Sequence, residues 1–295
     1  MPSNTFIAAL IASSFISAPA ILGQLPGDGR LIDVGGYRLH LTCAGSGTPT
    51  VILEAGLGGS ADGWIKVMPE VEKFTRVCAY DRANEGKSDA ALRRFTHIGD
   101  RTYIELRNGE DVVRDLHTLL SNAHENGPYV IVGHSLGGLY SILYANAYPK
   151  QILGMVLEDS AHPDQLTQKA RIQGVEAAKT DHDALMQNEE GADIDAIFAE
   201  VNATHWHTDI PLYVLCRGRK AIPPTGQAQT LTDQVDDGHR MLEQDFTHRS
   251  TNSEFLVAEK SGHFIHRDQP DLEVQAIHDV VDSARTRTAG GSRQN

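Results

Sequence analysis

Cysteine is scarce. There are three in 295 residues, with no Cys-x-x-Cys pair and no Cys/His cluster, so no zinc site is expected. Basic residues are also short: 26 Lys and Arg stand against 39 Asp and Glu, a formal net charge of −13. Phosphate binding wants clustered Lys and Arg, so no nucleic-acid partner is expected and adhesion to anionic lipid is disfavoured. No apolar run reaches the roughly 20 residues that a membrane span needs. What is there is 40% hydrophobic and 22% charged, the balance of a globular chain with enough length to bury a real core. An α/β fold of about 250 residues can form one domain.

The two ends read differently from the middle. An apolar run from Phe6 to Ile16 precedes Ala18-Pro19-Ala20. That is the short core and small-residue cleavage site of a secretory signal over residues 1–20, although no Lys or Arg precedes it. A secreted or periplasmic protein follows, with no stable membrane association once the signal is cleaved. An uncleaved anchor or a cytoplasmic chain is the alternative. Residues 286–295 are rich in Arg, Gly and Ser and are expected to be disordered. The domain then occupies residues 30–285.

Within it, short apolar runs alternate with helical stretches. Leu31–Val34, Tyr37–Cys43, Thr50–Leu53, Arg76–Tyr80, Tyr129–Val132, Gly154–Leu157, Leu212–Cys216 and Glu254–Ala258 read as strands, and Gly35-Gly36 turns the first hairpin. Several are apolar without alternation, as parallel strands covered on both faces are. Glu110–Ala123 places Val112, Val113, Leu116, Leu119 and Leu120 on one helical face. Ser135–Ala147 and Leu272–Ala284 are further helices. The pattern predicts βαβ units and a mainly parallel sheet. Residues 163–209 are polar and rich in Ala and Gln, break this rhythm, and read as a helical insertion.

The strand at Tyr129–Val132 runs into Gly133-His134-Ser135-Leu136-Gly137 and then a helix. This is G-x-S-x-G between strand and helix, a turn that lifts a serine hydroxyl out of the sheet above helix N–H groups. The alternative is a glycine-rich turn with a chance serine.

With LEAGLGGS (53–60), VCAYDRA (77–83), VGHSLGGLY (132–140), VLEDSAHPDQ (156–165) and SGHFIHRDQPD (261–271), the chain resembles the serine hydrolases of the α/β-hydrolase fold, and among them an esterase-like, bacterial-type branch. The resemblance runs from about residue 31 to 284. It implies a mostly parallel eight-stranded sheet flanked by helices, with a helical lid inserted after the sixth strand. It also implies Ser135 as nucleophile and His263, in the glycine-containing loop after the last strand, as base. His266 is the nearest competitor, and His134 packs beneath the turn. Many relatives place the acid after the seventh strand, but here Arg217-Gly218-Arg219-Lys220 follows and no carboxylate comes before Asp233. The sixth strand instead ends Glu158-Asp159. Haloalkane dehalogenases of this fold can carry their acid there, so Asp159 is assigned to orient His263. Glu158 falls on the other side of the strand, and Asp164 is a weaker alternative. The Asp nucleophile of dehalogenases and epoxide hydrolases is replaced by Ser135, which disfavours those chemistries.

In the loop after the third strand, Ala55 stands where relatives commonly carry His, and Leu57 takes the donor position. The oxyanion hole is therefore assigned to the N–H groups of Leu57 and Leu136. Asn84 replaces the usual Gly of its turn, a residue that tolerates left-handed backbone. Cys43 and Cys78 lie on strands that neighbour each other in the family's sheet, so a disulfide between them is a hypothesis, leaving Cys216 as a buried thiol. His205, Trp206 and His207 are candidates for the substrate pocket, the alternative being a cluster that packs the lid on the core.

The expected enzyme is a serine esterase acting on a small acyl substrate, with no cofactor and no metal. Lactonase, thioesterase, peptidase, carbon–carbon hydrolase and acyltransferase chemistries would use the same residues. A binder of the same fold is the non-catalytic alternative.

Overall fold

The computed structural model describes residues 24–291 apart from 93, 99–100, 206 and 221–227. The candidate signal at residues 1–20 and the indole of Trp206 lie outside the described residues. Strands β1 (Arg30–Asp33), β2 (Arg38–Ala44), β3 (Thr50–Glu54), β4 (Val77–Tyr80), β7 (Tyr129–His134), β8 (Ile152–Glu158), β9 (Leu212–Arg217) and β10 (Ser253–Ala258) form one eight-stranded sheet, ordered β1-β2-β4-β3-β7-β8-β9-β10. The β1/β2 and β2/β4 pairs are antiparallel and the rest parallel. A separate antiparallel hairpin, β5 (Phe95–Ile98) with β6 (Arg101–Ile104), stands apart from the sheet. It escapes the sequence reading because its period is short and its side chains are largely exposed.

The helices are α1 (Met68–Val71), α2 (Gly109–Asn122), α3 (Leu136–Ala147), α4 (Gln165–Gln173), α5 (Val175–Met186), α6 (Ile194–Ala203), α7 (Gln229–Asp245), α8 (Ile265–Asp268) and α9 (Pro270–Gly291). Successive strand residues point to opposite faces. Ile52 and Ile131 therefore join the core under α2, α3 and α6, while Val51, Leu53, Val130 and Val132 join the core under α1 and α9. With apolar packing on both sides, β3, β4 and β7 are buried throughout. Helix α2 starts at Asn108, whose side chain accepts from the Asp111 N–H at 3.0 Å. Helix α3 is buried nearly all round because it lies between the sheet and both α2 and α6.

Three helices, α4 to α6, fill the insertion between β8 and β9. The expected disordered tail is corrected only over residues 286–291, and residues 292–295 lie outside the described residues. Helix α9 continues through residues 286–291, carried on by Thr286 and Thr288, whose hydroxyls bond to the carbonyls of Asp282 and Ala284 one turn back. No helix of the described residues is long and apolar enough to cross a membrane. Cys43 and Cys78 face each other across β2 and β4 and are joined by a disulfide, while Cys216 is a buried free thiol.

Candidate active site

Parallel strands bring their carboxyl ends to one edge, and the crevice outside that edge is where open α/β sheets bind ligands. Strands β3, β7, β8 and β9 all end there. Ser135 sits between β7 and α3 with φ 53° and ψ −122°, a backbone that a non-glycine residue adopts only when its surroundings enforce it. The turn closes tightly: a Cβ on Gly137 would come within 2.5 Å of the carbonyl oxygens of Glu54 and Ala55, and one on Gly133 within 2.6 Å of the Gly137 carbonyl. Only glycine permits that approach. It draws the β3 loop against the first turn of α3, whose leading N–H groups have no partner within the helix.

Ser135, Leu57, Leu136, Asp159 and His263 all line one cavity of about 510 Å³. Its other walls are apolar side chains of the insertion, such as Leu166, Ile172, Leu185 and Phe198, with Val235, His239 and Leu242 of α7 opposite. Lys169 of α4 and Asp181 of α5 make an ion pair at its rim. His205 and His207 are exposed and outside the cavity wall, which corrects the pocket assignment. His207 Nδ1 lies 3.2 Å from the His248 carbonyl instead.

The Nδ1 of His263 lies 2.6 Å from Asp159 Oδ2. Asp159 has φ 40°, so the chain turns at the end of β8 and aims the carboxyl at the His263 loop. The carboxyl is fully buried. It also accepts from the Arg217 backbone N–H (2.9 Å), Arg217 Nη1 (2.8 Å) and His239 Nε2 (2.8 Å). Burial, the largest influence, pushes this acid up. The hydrogen bonds from His239 and His263 and the charge of Arg217 outweigh it and hold the carboxyl well below its usual range.

The other candidates have different surroundings. Glu158 points to the opposite side of the sheet, where the backbone N–H of His266 donates to it at 2.8 Å and His266 Nδ1 lies at 2.8 and 2.9 Å from its two oxygens. Burial above all, with the nearby Arg267 and His263, lowers His266 to about 3, so it is a neutral packing partner for Trp64 rather than a base. His134 is held well below its usual value, first by burial and then by His263 and His266. Being neutral, it donates from Nε2 to the His263 carbonyl at 2.9 Å and fixes the loop that carries His263. Asp164 precedes α4 and its backbone N–H bonds His162.

The loop of Leu57 has a support that the sequence hides. Arg82, after β4, is 2% exposed and donates to the carbonyls of Ala55 and Gly56, each at 2.6 Å. It also binds Glu54 Oε1 (2.6 Å) and both oxygens of Glu190 (2.6 and 2.8 Å). Tyr80 donates to Glu54, and Asn84, at φ 71°, donates to the Glu190 carbonyl at 2.7 Å. Glu190 lies 108 residues along the chain from Arg82, so nothing local could reveal the pairing. Arg217 was visible only as the reason no acid follows β9, and His239 gave no signal because α7 has few apolar residues to mark its period.

Comparison with known proteins bears on the fold that carries these residues. A family model described as alpha/beta hydrolase fold matches residues 49–178. Protein YqjL of Bacillus subtilis (strain 168) is 27% identical over 237 residues, covering 80% of this chain and 85% of that protein. A thermophilic esterase from Thermogutta terrifontis superposes with a TM-score of 0.60 at 17% identity, over 88% of this chain and 99% of that one. A meta-cleavage product hydrolase from Pseudomonas fluorescens IP01 gives 0.55 at 17% identity, over 87% and 98%. At such identities the structural likenesses speak for the fold.

Proposed function

The chain is a protein of the α/β-hydrolase fold, and on that premise we propose that it is a serine hydrolase cleaving a carboxylic ester or related acyl bond. In this reading Ser135 Oγ attacks the carbonyl carbon while His263 Nε2 takes its proton. The N–H groups of Leu57 and Leu136 receive the negative charge that develops on the carbonyl oxygen. The tetrahedral species collapses, the leaving group departs with the proton from His263, and an acyl-enzyme remains. Water, deprotonated by His263, then releases the acid and restores Ser135. Helices α4 to α6 act as a lid whose apolar wall receives the acyl or alcohol portion.

The observation that carries this reading is the 2.6 Å contact of His263 Nδ1 with Asp159, at the cavity that Ser135 lines. An imidazole that gives its Nδ1–H to a carboxylate keeps Nε2 free as a base. The test is labelling with a fluorophosphonate probe alongside turnover of short-chain p-nitrophenyl esters. Ser135→Ala is expected to abolish labelling and to lower turnover by about 10⁴-fold or more. A folded wild type that neither labels nor turns over these esters would count against the proposal.

The Cys43–Cys78 disulfide supports an oxidising compartment and thus export. Intact mass of protein secreted by its host is expected to start at Ile21, and a chain retaining Met1 would overturn cleavage there.

A further inference from the structure

A carboxylate offers about four lone-pair positions. On Asp159 the contacts at both oxygens fill them: Oδ1 receives the Arg217 backbone N–H and His239 Nε2, and Oδ2 receives Arg217 Nη1 and His263 Nδ1. Three of these four contacts do not involve the candidate base. From this geometry we infer that His239 and Arg217 are positioning residues, which fix the plane and the charge of Asp159 so that Oδ2 serves His263. The inference deepens the serine-hydrolase reading and rests on it.

The two residues hold the carboxylate in different ways. Arg217 closes β9, the seventh strand of the main sheet, and contributes through its backbone whatever its side chain is. Its guanidinium adds a positive charge beside Asp159, with Asp236 of α7 at 3.6 Å on its far side. His239 contributes a single donor from the middle of α7 and reaches Oδ1 from the cavity wall. Without it, Oδ1 keeps one donor and the carboxyl is free to rock about its own axis.

Other titratable groups face this carboxyl from every side. Glu158 adjoins it on β8, His134 lies on β7, Cys216 on β9, His239 and Glu243 on α7, and His263 on the loop after β10. Burial is the leading cause that raises Glu158 and Glu243 well above the usual carboxylate range and Cys216 to about 12. Asp159 is the carboxyl of this group that its surroundings hold down, by the hydrogen bonds of His239 and His263 and the charge of Arg217.

The experiment uses the whole protein, with p-nitrophenyl acetate for kinetics and a fluorophosphonate for labelling. His239→Phe fills the space without a donor and is expected to lower kcat by about 10-fold, the usual scale for a hydrogen bond to a charged group. His239→Gln restores an N–H at the same reach and is expected to recover most of that loss, which a purely space-filling role would not give. Arg217→Met keeps the backbone donor but removes the charge. With that cation gone from beside Asp159, imidazolium at His263 is favoured, and the acid limb of kcat/KM moves up by about 1 pH unit. Arg217→Lys keeps the charge and is expected to leave the limb in place. Should Arg217→Met not fold, Arg217→Gln carries the same charge test.

Folded, labelled variants His239→Phe and Arg217→Met with wild-type kcat and an unmoved limb overturn this inference alone. A wild type that does not label at Ser135 overturns the hydrolase reading and this one with it.

Discussion

Glu158 and Asp159 are consecutive at the end of β8, and both carboxyls are fully buried. On the cavity side, Asp159 meets a guanidinium and two imidazoles and is held well below the usual carboxylate range. On the opposite side, Glu158 meets neutral His266 and another buried acid, Glu273 of α9, and both acids are driven well above that range by burial. Glu273 has no hydrogen-bond partner for either side-chain oxygen among the described residues. The two sides differ in their donors and cations, not in their burial. Burial raises every carboxyl, and only nearby charge and hydrogen bonds reverse it.

The two sides also differ in how they respond to pH. A depressed acid such as Asp159 contributes stability that is present above its unfolded value of about 4 and is lost as pH falls through the folded one. A raised acid works the other way. Above its ordinary value of 4.5 the unfolded chain releases the proton that folded Glu273 keeps, so its contribution worsens as pH rises.

The most severe way to break the comparison is Asp159→Asn, which removes the charge on the cavity side. It is expected to lower kcat by about 10⁴-fold while the fold survives, as read from p-nitrophenyl ester turnover and thermal melting. Next, Arg82→Leu turns a region with a cation into one without. Glu54 and Glu190 would be left buried and uncompensated, at a cost of about 3–5 kcal/mol in denaturant unfolding. A variant as stable as wild type would show that the two acids are already neutral.

Glu273→Leu sharpens the other side. It replaces an unpartnered buried acid by an apolar side chain of similar size and is expected to stabilise the protein by about 1–3 kcal/mol at pH 8. By the sign above, the gain shrinks toward pH 5, so melting curves at both values check it. A gain that grew on acidification would mean that Glu273 is ionised in the folded state. The smallest effect is expected from Glu158→Gln. An amide resembles a protonated carboxyl, so stability should change by about 1 kcal/mol or less, with turnover within about 5-fold. A large loss would place charge on Glu158 and erase the contrast with Asp159.

The sheet is legible in the sequence because each parallel strand is a short apolar run and the helices between them are either striped, as α2 is, or apolar nearly all round, as α3 is. The turn at Ser135 is legible because glycines at fixed spacing between strand and helix are demanded by backbone crowding at that point. The hairpin β5–β6 and helix α7 are not legible, since neither buries a continuous apolar face. His239 is hidden with α7. The basic residues after β9 are visible, but a charge excluded from one role does not announce another, and Arg217 becomes a partner of Asp159 only once β8 and β9 lie side by side.

The sequence by itself determines the alternation of strands and helices and the strained turn that presents Ser135, because those depend on neighbours within a few residues. The tertiary structure alone decides which buried acid is charged. The donors that hold Asp159 ionised come from 58, 80 and 104 residues away, at Arg217, His239 and His263. A carboxyl's charge in the interior is a property of the groups folded around it, and adjacent positions on one strand face different groups.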